Sequence, residues 1–178
     1  MNMENFILTI KTKELEEKSG ELGFSKTLFF GTDFVVLEGT NKKEILVGIQ
    51  KAKGKKQQVV YLAKDEETLR FVVEKTGADI VLGVERIHPK DSVHYLRSGL
   101  DQVLCSLAAK RDVAVGFSFV EILDSVHRPK LLGRMMANIQ LCKKYNVRMV
   151  FSTFASDPWE LRSAADLKAL WRVLEKKV

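Results

Sequence analysis

The chain has 178 residues, with 29 Lys+Arg against 23 Asp+Glu, a formal net charge of +6 and a pI near 9.3. At 46% hydrophobic and 29% charged residues it has the composition of a globular protein able to bury one sizeable core, and one domain over residues 1–178 is expected. No run approaches the ~20 consecutive apolar residues of a membrane span, and Met1–Ile10 lacks the order of a secretory signal, so a cytoplasmic chain without a membrane partner is expected.

Apolar, β-rich runs predict strands at Phe6–Ile10, Thr27–Leu37 (interrupted by Gly31), Gln58–Ala63, Asp79–Val84, Val113–Phe119 and Val147–Phe151. The basic segment Lys51–Lys56 ends a helix through Gly54 before the third of these runs. Helical stripes follow: Leu69, Val72 and Val73, then Leu100, Val103, Leu104, Leu107 and Ala108, then Leu131, Leu132, Met135, Met136, Ile139 and Cys142. Cys105 and Cys142 fall inside these stripes without the close spacing of a metal or redox pair, so both read as reduced core residues.

After Val147–Phe151, Asp157 reads as an N-cap, Pro158 as the first helical residue and Glu160 as the partner that closes a capping box. Ser163 and Asp166 repeat the pattern for a last helix with a stripe of Leu167, Leu170, Trp171 and Leu174. The short turn between these caps carries Trp159, expected as a plug against the sheet, and Arg162, a candidate phosphate ligand.

Strand and helix in repetition, with strands apolar throughout, imply a parallel sheet covered by helices. No GxGxxG or GxxxxGK[ST] occurs, which argues against a nucleotide cradle. A full (β/α)₈ barrel takes ~250 residues. At 178 residues, the preferred fold is α/β, a trimmed or distorted TIM-like (β/α) barrel, with an open doubly wound sheet as the alternative.

The charge is unevenly placed. Residues 1–89 hold 14 basic and 14 acidic side chains, whereas residues 90–178 hold 15 and 9, and seven of the nine arginines. Guanidinium binds phosphate oxygens in pairs, so this half suits a polyanion, nucleic acid first; a solvated surface without a partner is the competing reading.

The run Ser156-Asp-Pro-Trp-Glu-Leu-Arg-Ser163 resembles the closing motif of the archaeal and eukaryotic ribonuclease P protein component 3 family. Leu96-Arg-Ser-Gly-Leu-Asp-Gln-Val-Leu104 and Val113-Ala-Val-Gly-Phe-Ser118 agree with it, Gln102 standing where the family often carries a histidine. The resemblance implies a barrel of the metal-dependent phosphoesterase and amidohydrolase type. It also implies an RNA-binding subunit of ribonuclease P, supporting a catalytic RNA that uses Mg2+ to remove the 5′ leader of precursor tRNA. The partners implied are the ribonuclease P RNA, protein component 2, other protein subunits of the complex and, as the substrate of the complex, precursor tRNA. On this reading the chain belongs to an endoribonuclease holoenzyme, is inactive alone and binds no cofactor of its own.

The alternative is a stand-alone metal-dependent phosphoesterase on the same barrel. Such an enzyme needs an Asp-x-His-x-His run after its first strand, yet the three histidines are the scattered His88, His94 and His127. No catalytic or metal-ligating residue is named on this basis. The candidate RNA-binding residues are Arg86 and Arg162 at strand edges and Arg97 before a helix start expected at Gly99. Arg128 and the row His127, Lys130 and Arg134, expected on one exposed face of the long helix, complete the set. Tyr95 is a candidate stacking platform, and the protein–protein interface is left unassigned.

Overall fold

The computed structural model describes residues 4–176. In chain order the elements are β1 (Glu4–Ile7), α1 (Lys13–Glu21), β2 (Lys26–Phe29), β3 (Phe34–Glu38), α2 (Lys42–Gly54), β4 (Gln58–Leu62), α3 (Glu66–Lys75) and β5 (Ile80–Leu82). A 3-10 turn (Val84–Arg86) and a long loop lead to α4 (Gln102–Arg111), β6 (Ala114–Ser118), α5 (Phe119–Asp124), α6 (Arg128–Lys144) and β7 (Met149–Ser152). A second 3-10 turn (Pro158–Glu160) precedes α7 (Ala164–Leu174).

The fold is α/β with every described ladder parallel: five strands in the order β3-β4-β5-β6-β7, and β1 paired with β2. Single bridges link the two sheets at both margins, Ile7 with Ala155 and Phe30 with Phe34. The Leu8 N–H donates to the Ala155 carbonyl at 2.7 Å, and the Gly31 N–H to the Phe34 carbonyl at 2.8 Å. Where β7 meets β1, buried side chains take over from the ladder: the Phe6 N–H donates to Ser152 Oγ at 2.7 Å, and Ser152 and Thr153 hydroxyls both donate to Asn5 Oδ1. Buried backbone donors demand such partners, which explains three polar residues with no exposure in this seam.

Alternation along the strands divides the interior in two. Val59, Tyr61, Val81, Val115 and Phe117 point to the helices and join the largest cluster with Leu69, Cys105, Met135 and Trp171. Phe6, Leu28, Phe34, Val60, Ile80, Leu82, Ala114 and Phe154 point the other way and pack together, drawing on strands of both sheets. The Phe6 ring meets Phe34 edge-on at 5.2 Å and stacks with Phe154 at 5.3 Å. Gly116 fits this layer because a Cβ there would lie 3.0 Å from Ile80 and 3.1 Å from Leu82.

Several expectations change. The run Thr27–Leu37 is two strands broken at Gly31, whose φ of +81° and the Asp33 carboxylate, which accepts the Phe29 N–H, make the turn. Helix α1 has almost no apolar stripe, burying Leu15 and Ser19 only. The strand at Val113 runs straight into α5, with Ser118 as N-cap. The chain after α2 turns left-handed at Lys56 rather than at Gly54. Met135 lies in the core and both cysteines are free and buried, as the helical stripes imply.

Candidate nucleic-acid interface

Because the strands run parallel, the segments after β4, β5, β6 and β7 all leave one edge, and the candidate residues gather there. The loop of residues 87–101 after β5 is the largest of these segments. Gly99 holds it down: its φ is +92°, and a Cβ would fall 1.9 Å from the Val84 carbonyl oxygen. Helix α4 begins later than Gly99, at Gln102, with Asp101 as the N-cap that accepts the Leu104 N–H. Arg97 therefore lies in the loop and not at a helix start.

Arg134 is not on an exposed row. It is 4% exposed, because α6 packs beneath the loop and turns this face toward it. Its Nε and Nη2 donate to Asp91 Oδ1 at 3.0 and 2.6 Å, and Nη1 donates to the carbonyls of Glu85 and His88 at 2.7 and 2.6 Å. These bonds hold the Asp91 carboxyl below the usual carboxylate range, helped by the Arg97 N–H and the nearby Lys130. Lys130 faces the same loop, donating to the Pro89 carbonyl at 2.9 Å. Both are loop anchors.

Arg128 closes the end of α5, donating to the carbonyls of Ile122 and Leu123 at 2.7 and 2.8 Å, though the residue is exposed. Arg86 pairs with Glu121 at 2.8 Å. Arg162 donates from Nη1 to the Trp159 and Leu161 carbonyls and lies over the Phe119 ring. The capping box at Asp157 and Glu160 is as expected, but Trp159 is 86% exposed, and Leu161 enters the interior in its place. Over the Trp159 ring lies Lys18, 5.7 Å from its centroid. His127 is exposed and is the N-cap residue of α6 without a side-chain capping bond. Arg97 is exposed, and its guanidinium has no partner among the described residues.

Two clefts border the long loop, and His88 lines both. One, of about 320 Å³, lies against Glu85, Arg86, Glu121, His127 and Lys130. Full burial pushes the Glu85 carboxyl up to about 7, opposed by hydrogen bonds from its own backbone and from Asn138. Burial also raises Glu121, against the pull of Arg86, and Glu121 Oε2 is buried without a partner. The other cleft, of about 370 Å³, lies between α3 and the start of α4 and adds Arg70 and the His88–Glu66 pair at 2.6 Å. Sequence reading missed Arg70, because nothing in an exposed arginine on α3 announces the loop folded over it. Among the described residues no group of three or more His, Cys, Asp or Glu converges to hold a metal ion.

The parallel α/β architecture thus places Arg86, Arg97, Arg162 and the exposed Tyr95 in the segments that follow the strands. Residues 35–177 match the family described as RNase P subunit p30, and the chain belongs to that family. It is 28% identical over 143 residues to "Ribonuclease P protein component 3" of Methanococcus maripaludis strain C7, covering 76% of this chain and 59% of the relative. For the protein of the same description from Methanosarcina barkeri the identity is 30% over 146 residues, covering 78% and 61%. The chain thus spans about 60% of the length of the curated relatives it matches. A chain in a cryo-EM structure of archaeal ribonuclease P with mature tRNA superposes with a TM-score of 0.82 at 22% identity, over 97% of this chain and 83% of that one; the two share a fold.

Proposed function

We propose that the chain is an RNA-binding protein subunit of ribonuclease P, supporting the RNA that removes the 5′ leader of precursor tRNA. The observation that carries this reading is the family match over residues 35–177. The excess of basic charge in residues 90–178 and the unpaired Arg97 at the strand-end loops supply a physical means. Packed RNA helices repel one another, and cations fixed on a protein lower that cost and the Mg2+ needed to screen it. On this reading Mg2+ serves the RNA, the chain alone does not cut, and protein component 2 and other subunits complete a cytoplasmic assembly.

The fold reading goes with it: a trimmed TIM-like barrel of seven strands. Its support is the cluster of Phe6, Leu28, Phe34, Val60, Ile80, Ala114 and Phe154, an inner layer fed by both sheets, and the bridges at their two margins. Arg97 and His127 keep their role as candidate RNA ligands, with Arg86 and Arg128 beside them. The test is reconstitution: adding the chain with protein component 2 to the catalytic RNA lowers the Mg2+ concentration required for precursor tRNA cleavage. No change in the Mg2+ requirement contradicts the reading, and cleavage by the chain alone favours the phosphoesterase.

A further inference from the structure

The cleft between α3 and the start of α4 carries exposed side chains that neither the core nor the loop anchors use. The core residues Leu69 and Leu104 close its base, and its rim carries Tyr95, 65% exposed. Arg70 stands on one wall and Arg97 on the other, both exposed and neither hydrogen-bonded among the described residues. The acids that also line it are already engaged: Glu66 pairs with His88 at 2.6 Å, and Asp101 accepts the Leu104 N–H at 2.6 Å. Both guanidinium groups are therefore free of direct hydrogen bonds among the described residues, while Glu66 and Asp101 line the same cleft and Glu74 lies near Arg70. Ser98 lines it too, 9% exposed, with a hydroxyl that makes no hydrogen bond among the described residues.

The size selects the ligand. About 370 Å³ falls in the range of ~300–1,000 Å³ typical of small-ligand sites. A duplex cannot enter such a space, but one base with its sugar can. An exposed aromatic ring at the rim offers a stacking surface, and flanking guanidinium groups fit a phosphate. An acidic peptide would meet the arginines but leave the ring unused.

We propose that the α3–α4 cleft seats one unpaired RNA nucleotide, its base against Tyr95 and its phosphate between Arg70 and Arg97. This rests on the RNA-binding reading and sharpens it: the chain recognises a bulged or looped nucleotide as well as a charged backbone. The Ser98 hydroxyl lies where it can bond the base edge or the sugar.

The test compares two RNA hairpins that differ by a single-nucleotide bulge, with 2-aminopurine at the bulge as a fluorescent reporter, bound to the full chain. The expected result is tighter binding of the bulged hairpin with quenching of the reporter. Tyr95→Ala removes the preference, weakening bulged-hairpin binding by roughly ten-fold without changing the salt slope. Arg70→Ala and Arg97→Ala each reduce the slope of log K against log salt by about 0.7. Equal affinity for the two hairpins, untouched by Tyr95→Ala, overturns the nucleotide site and leaves RNA binding standing. Displacement of the bulged hairpin by a polyglutamate peptide also overturns it, in favour of a protein ligand. If neither hairpin binds, the RNA-binding reading itself fails and the cleft proposal with it.

Discussion

The guanidinium of Arg134 holds the carboxylate of Asp91 from two nitrogens, at 3.0 and 2.6 Å, across 43 residues of sequence. That grip, with the carbonyls of Glu85 and His88 on Nη1, fixes the loop that carries Tyr95 and Arg97. Arg134→Ala takes the side-chain donor from the carbonyls of Glu85 and His88, leaves Asp91 with only the Arg97 N–H and Lys130, and empties a buried site. The expected outcome is a fall in melting temperature of about 8 °C. Arg97→Ala leaves melting unchanged, and calorimetry of the two variants checks the contrast.

Gly99→Ala tests the same loop from its other end. A Cβ 1.9 Å from the Val84 carbonyl oxygen cannot be accommodated, and the φ of +92° adds strain. The loop should lift from the 3-10 turn, so that limited proteolysis cuts between residues 88 and 98 faster than in the parent chain. Unchanged cleavage contradicts the packing described.

Glu85 makes stability depend on pH with a definite sign. Its carboxyl lies at about 7 in the folded chain against 4.5 as the ordinary value, so the folded state keeps a proton that the unfolded chain releases. That contribution is complete below pH 4.5, is lost as pH rises to about 7, and changes no further above it. Its full size is about 3 kcal/mol. Glu85→Gln keeps the oxygen that accepts from Asn138 but has no charge to bury. The variant should gain stability over the parent between pH 5 and pH 7, then hold a constant advantage to pH 8. Thermal melts across that range decide it; an advantage independent of pH contradicts the burial argument.

Arg162 divides two roles. Nη1 is bonded to two carbonyls, and the group lies 5.7 Å from the Phe119 ring centroid, so Arg162→Ala should lower the melting temperature by about 3 °C. It should change RNA affinity less than Arg97→Ala does. An unchanged melting temperature with a smaller salt slope would instead make Arg162 a phosphate ligand.

These contrasts mark how far the sequence could be read. Strands β4 to β7 and helices α3, α4, α6 and α7 were legible, because apolar runs and stripes there keep one period, whereas β2 and β3 read as a single interrupted run. Helix α1 was not, since a helix that buries Leu15 and Ser19 carries almost no periodic signal. The spacing of His127, Lys130 and Arg134 implied one exposed row, but it could not say that the loop covers Arg134 and leaves only His127 exposed. Trp159 looked like a core residue by type, yet the capped turn that holds it sends Leu161 inward instead. Arg97 survived as a free cation because it lies in a loop that other arginines anchor, a division of labour visible only after the long-range bonds of Arg134 are seen.

The most direct measurement of the central claim is the affinity of the full chain for ribonuclease P RNA across a series of salt concentrations. An RNA-binding subunit gives binding that weakens linearly in log K against log salt, with a slope reduced when Arg97 is replaced by Ala. No binding, or binding that salt does not weaken, would mean that no phosphates are neutralised, and the account would fail.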